Sequence, residues 1–200
     1  MLTRRILLIT GFATASMLLS RNQASAQAGG ASAFVQGFGD SLIRVVNSEG
    51  GLDEKQQRIR PLIDQDIDVD GIARFCLGRF ANNASPQQIS EFVHLFHDVL
   101  LGNIVSKVGQ YRGVTFTMGG SSQRGNGTFV STVLKQPNNA PNNVQWVVEN
   151  TGGALKIVDV VAEGTSLRLT QRSDYASFLG QHNGNVNALI EAMKAQIRSS

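Results

Sequence analysis

The spacing of apolar positions divides this chain into a helical first half and a stranded second half. Over residues 33–46, Phe34, Val35, Phe38, Leu42, Val45 and Val46 recur at intervals that place them on one face of a helix, which Gly50-Gly51 stops. A more polar helix is expected over 53–63, with Ile59, Leu62 and Ile63 inward and Pro61 kinking or ending it. Asp68 suits the cap of a short helix that carries Ile72, Phe75 and Cys76 inward and closes at Gly78. The clearest helix opens at Ser85-Pro86, where Gln88 completes a capping box. Ile89, Phe92, Val93, Phe96, Val99, Leu100 and Ile104 then form a broad apolar stripe that ends near Gly109.

Beyond Gly113 the period falls from about 3.6 to two. Val114/Phe116/Met118, Phe129/Ser131/Val133, Val144/Trp146/Val148 and Leu155/Ile157/Val161 are the expected inward sides of four strands. The breaks between them are short and rich in Gly, Asn and Pro, which predicts an antiparallel meander. In the last strand Leu155, Ile157, Asp159 and Val161 alternate with Lys156, Val158, Val160 and Ala162, so both faces are expected to be covered. Glu163-Gly164-Thr165-Ser166 breaks that run, and Leu167 and Leu169 resume the alternation with Arg168 and Gln171 toward solvent. Ser173-Asp174 is placed as the cap of a helix carrying Tyr175, Phe178 and Leu179, and a final helix spans 185–197. Helices, then at least four antiparallel strands, then two helices predict an α+β fold, with helices on the concave face of a curved antiparallel sheet.

Composition changes this picture at the N-terminus. Arg4-Arg5, an apolar run over 6–19 and the small-x-small triplet Ala24-Ser25-Ala26 have the build of an export signal, so 1–26 is expected to be cleaved near Ala26. The remainder, 27–200, is expected to be a single domain: flexible over 27–32, mostly helical over 33–110, sheet over 113–170 and helical again over 173–198. The whole chain has 18 Lys and Arg against 15 Asp and Glu. Arg4, Arg5 and Arg21 are the only charges in 1–26, so the exported part is formally neutral and offers no basic face for nucleic acid. The one cysteine, Cys76, sits in an apolar run and excludes an internal disulfide framework.

Candidate chemistry is sparse. Ser121 and Ser122 lie in a Gly-rich loop without the nucleophile pattern of a serine hydrolase. His94 and His97, near Glu91, lack metal-site spacing and fall on or beside the polar face of their helix, so no metal and no cofactor is expected. His182 stands in a polar turn, and Gly125-x-Gly127 is a hairpin feature rather than a phosphate cradle. Asp159 alternates with Ile157 and Val161 and has two readings. It is a general base in an apolar cone, or it accepts hydrogen bonds from a neighbouring loop or pairs with Arg168 or Arg172.

Two blocks carry a resemblance. The segment from Lys156 through Ile157, Asp159, Val160, Glu163, Gly164, Ser166 and Leu167 into the Arg172/Tyr175/Phe178 helix is similar to the MlaC/toluene-tolerance family, and so is the Asp68-x-Asp70 start running to Leu77-Gly78-Arg79-Phe80. Residues 163–175 resemble the hopanoid-associated branch called HpnM still more closely. Where the family often has Trp before the final strand's Lys-Ile, this chain has Leu155. The resemblance implies a nuclear-transport-factor-like cone with a small helical subdomain, and a periplasmic carrier moving phospholipid or hopanoid between the inner and outer membranes. It implies transient membrane contact and an inner-membrane transporter as partner, through a MlaD-like ring or a large exporter. It implies no enzyme activity.

Carriage sets a physical requirement. Each CH₂ of an acyl chain exposed to water costs about 0.8 kcal/mol, so a ~16-carbon tail needs shielding worth about 12 kcal/mol, which calls for a deep apolar cavity. Phe75, Phe92, Phe96, Val99, Leu100, Phe116, Phe129, Val133, Trp146, Ile157 and Val161 are the expected lining. A small-molecule isomerase of similar fold using Asp159, and a non-catalytic envelope adaptor, are the alternatives.

Overall fold

The computed structural model describes residues 15–137 and 139–199, with side chains from Ala28 onward. Among the described residues, six α-helices and five strands follow the expected order: α1 (Ala15–Asn47), α2 (Leu52–Asp66), α3 (Val69–Leu77), α4 (Pro86–Lys107), β1 (Thr115–Arg124), β2 (Gly127–Lys135), β3 (Asn142–Thr151), β4 (Ala154–Ala162), β5 (Thr165–Ser166), α5 (Leu167–Gln181) and α6 (Val186–Ser199). The strands form one antiparallel meander in sequence order, curved as expected.

Local rules account for most helix starts. Asp68 accepts the Gly71 amide at 3.0 Å at the head of α3, and Gly78 ends that helix with φ 56°, a conformation open to glycine. Ser85 and Gln88 form the expected reciprocal capping box of α4. One expectation needs correction. Residues 27–32, expected to be flexible, are helical, because Ala31 is buried against the sheet and tertiary packing outweighs the weak propensity of Gly29-Gly30. The expected export signal lies outside the described residues over 1–14, and from Ala15 the chain is already in α1. Pro61 does not end α2, which runs on to Asp66 with Ile59 and Ile63 buried on either side of it. Lys156 supports the far end of α2 by donating from Nζ to the carbonyls of Asp64 and Gln65.

Two apolar cores result. The larger lies among the helices, where Phe92, Phe96, Leu101, Leu179, Leu189 and Ile190 pack together. Within it Tyr175 meets Phe92 and Phe96 edge-on, at ring distances of 5.6 and 6.4 Å. The smaller core lies between α1 and the sheet: Ala31 and Val35 pack on Val130 and Val148, flanked by Phe34, Phe116, Met118, Trp146 and Leu155.

Cross-strand register decides which residues share the α1 face. Phe116, Met118, Val130, Thr132, Leu134, Val144, Trp146 and Val148 are paired across β1 to β3 and lie on it. An extra residue in β1 between Met118 and Ser121 forms a bulge, and Gly119 permits it, since a Cβ there would lie 3.0 Å from the Ser131 carbonyl oxygen. A second bulge at Val158 shifts β4 by one residue, so Leu155, Ile157, Val160 and Ala162 share the α1 face while Lys156, Asp159 and Val161 take the other. Phe129 and Val133 also lie on that other face, where Phe129 sits beneath the Arg124 guanidinium at 4.8 Å.

Thr132 is a polar residue buried on the α1 face, and its hydroxyl is fully used. It accepts from Trp146 Nε1 at 2.9 Å and donates to the Val144 carbonyl at 3.1 Å. Thr132→Val should therefore destabilise the protein by about 1–2 kcal/mol in urea unfolding and shift Trp146 fluorescence, with Thr132→Ser restoring most of the loss.

Candidate functional site

The expected lining separates into three groups. Phe92, Phe96, Val99 and Leu100 belong to the helical core, with Phe92 wholly buried. Phe75 is at its margin, with the Arg168 and Arg172 guanidiniums each 4.6 Å from its ring. Phe116, Trp146 and Ile157 share the α1 face of the sheet. Phe129, Val133 and Val161, placed inward from sequence, lie on the opposite face. The reason differs by strand: in β2 both alternating sets are apolar enough to face inward, and in β4 the Val158 bulge reverses the phase beyond it. Phe129, Val133 and Val161 therefore do not share a lining with Phe116 and Trp146.

The geometry singles out the seam between α1 and the sheet. Phe38 meets Trp146 edge-on at 5.6 Å and Phe116 meets it at 6.5 Å, making an aromatic cluster at the middle of that face. Gly39 lets the Phe116 ring lie against the α1 backbone, since an added Cβ would come 2.7 Å from it. Ala31, Phe34, Val35, Val130, Val148 and Leu155 complete the seam but were outside the expected lining, although the helical pattern of 33–46 already placed Phe34 and Val35 on one face. Apart from Thr132 and Thr128, whose hydroxyl donates to Gln123 Oε1 at 2.7 Å, the walls are apolar. Two surface depressions of about 290 Å³ each lie elsewhere: one over α3 and α4 beside Asp70 and Ile89, the other along the sheet beside Ser131, Gln145 and Val161.

The polar candidates have structural partners. His97 Nε2 lies 2.6 Å from Asp64 Oδ1 and ties α4 to α2, while His94 reaches Asp98 at 3.6 Å on an exposed face. His182 Nδ1 is bonded to the Phe178 carbonyl and its ring stacks on Phe178. Among the described residues no three potential metal ligands come together. Burial pushes the Cys76 thiol up to about 12, which keeps it neutral and unreactive.

Asp159 is a buried carboxylate, and its environment favours the structural one of its two readings. Oδ1 accepts from the Val160 and Arg168 amides at 2.8 and 3.1 Å, Oδ2 accepts from Ser166 Oγ at 2.5 Å, and Arg168 Nε stands 3.6 Å away. Ser166 in turn caps α5 by accepting the Leu169 amide. This network corrects a further expectation: 167–172 is helix rather than strand, because Asp159 and Ser166 satisfy the first free amides of α5 seven residues before the expected cap at Ser173-Asp174. A carboxylate that accepts three hydrogen bonds from its own neighbourhood, on the face opposite the seam, is held as a structural joint rather than aimed at the seam as a base. Asp159→Ala should cost about 3 kcal/mol or more in chemical unfolding, since it strands the Arg168 charge, and should increase amide exchange in the first turn of α5.

The fold has a solved counterpart. A phospholipid-binding protein from Ralstonia solanacearum, determined in complex with a phospholipid, superposes with a TM-score of 0.72 at 19% identity, over 84% of this chain and 96% of that one. Residues 36–195, from the middle of α1 into α6, match the family model described as MlaC protein, and the chain belongs to that family.

Proposed function

We propose that this MlaC-family chain is a periplasmic lipid carrier that holds acyl chains between α1 and the sheet. The observation that carries this reading is the seam itself: a largely apolar sheet face, rich in aromatics, whose two buried hydroxyls, Thr128 and Thr132, and one indole N–H are all hydrogen-bonded within the sheet. Such a surface offers a lipid chain no polar group to strand and supplies the shielding a chain needs in water. The phospholipid bound to the Ralstonia protein supports a phospholipid cargo here. The likeness of residues 163–175 to the HpnM branch favours a hopanoid as the alternative cargo, with a large exporter in place of a MlaD-like ring as the membrane partner. In this reading 1–26 is an export signal, 27–200 is the lipid-binding domain, and a formally neutral surface lets the carrier leave anionic membranes.

Mass spectrometry of lipid extracted from protein purified without detergent from its own periplasm tests the assignment. A stoichiometric phospholipid or hopanoid is expected. An empty protein that also refuses added lipid would instead indicate an envelope adaptor. Met118→Glu, on the α1 face, should lower lipid occupancy by about tenfold or more while the protein stays folded. Phe129→Glu, on the opposite face, should leave occupancy unchanged.

A further inference from the structure

We infer that residues 28–36, the stretch of α1 that roofs the seam, form a displaceable plug that swings out at Gly37 to admit a lipid chain. This rests on the carrier reading and adds how the site opens. Ala31 and Val35, 1% and 0% exposed, sit directly on Val130 and Val148 and fill the space that a chain would take.

Three features make this stretch releasable. First, its polar groups are satisfied within the helix: Ser32 Oγ donates to the Ala28 carbonyl at 2.9 Å and Gln36 Nε2 to Asp40 Oδ1 at 2.8 Å. Among the described residues, the polar ties from α1 to other elements come at its far end. There Lys55 Nζ donates to the Val46 carbonyl at 2.8 Å and the Gly113 amide to Asn47 Oδ1 at 2.9 Å. Moving 28–36 away therefore breaks no described hydrogen bond to the sheet, and an incoming chain replaces one apolar contact with another.

Second, the stretch is a weak helix. Gly29, Gly30 and Gly37 each lower helix stability roughly fivefold relative to alanine. Packing does not require glycine at any of the three, since an added Cβ would meet nothing within 4 Å. Third, the next two residues are anchored: Phe38 is wedged against Trp146, and Gly39 is held to the Phe116 ring. A helix fixed from Phe38 onward and weakened before it bends at Gly37.

The test is stopped-flow uptake of a fluorescent phospholipid from phosphatidylglycerol/phosphatidylethanolamine vesicles by protein purified from the periplasm. Emission from Trp146, the single tryptophan, gives a second signal. The combined Gly29→Ala, Gly30→Ala and Gly37→Ala variant should unfold thermally at or above the wild-type temperature yet take up lipid about tenfold more slowly. Val35→Ala, which thins the plug, should take up lipid several-fold faster. Uptake by the triple variant at the wild-type rate, from a wild type that does load, would overturn the plug and leave the carrier reading standing. A wild type that takes no lipid from these vesicles would overturn both.

Discussion

A curved sheet with an apolar face cannot stand in water uncovered, and in this protein α1 covers that face over β1 and β2 while the end of α2 meets it at Ile157. The contact between α1 and the sheet is apolar, with Ala31, Val35 and Gly39 on the helix side interspersed between Phe34 and Phe38. The small residues let the helix lie close to the sheet, while the seam is filled by rings from both sides, Phe38 of α1 and Phe116 and Trp146 of the sheet. In the proposed reading the same surface serves two occupants, helix or lipid chain, because dispersion and water exclusion do not discriminate between apolar partners as hydrogen bonds would.

The helices hold this arrangement from the side of β4. A backbone bond from the Asp68 amide to the Ile157 carbonyl, at 3.0 Å, joins the start of α3 to β4, and Asp159 on the same strand organises the start of α5. The isolated charge of Asp159 would be costly at this depth; two amides, a hydroxyl and a nearby guanidinium make it tolerable and turn it into a fixed point. Its neighbour Cys76 donates from Sγ to the Arg168 carbonyl, so α3, β4 and α5 meet at one polar node beneath the larger core. A residue with the composition of a catalytic acid thus acts as a joint.

The candidate site was legible in part. The aromatic positions Phe116 and Trp146 were readable because strand alternation is local, and the stripe of Phe92 and Phe96 was readable as a buried helix face, though it packs the helical core rather than the seam. Phe129, Val133 and Val161 were misplaced because a period of two assigns faces only relative to a phase. In β2 either phase is apolar enough, and in β4 a one-residue bulge changes it midway.

The sequence by itself determined the class of the fold, the caps of α3 and α4, the meander and the family, since each rests on residues close together in the chain or on a motif read directly. Only the tertiary structure decided which sheet face meets α1, where α5 begins, that 27–32 is helical, and what Asp159 does. Each of these depends on a partner distant in sequence: a bulged neighbour strand, a carboxylate on β4 replacing a local cap, or a sheet surface that holds a glycine-rich segment in a helix it would not keep alone.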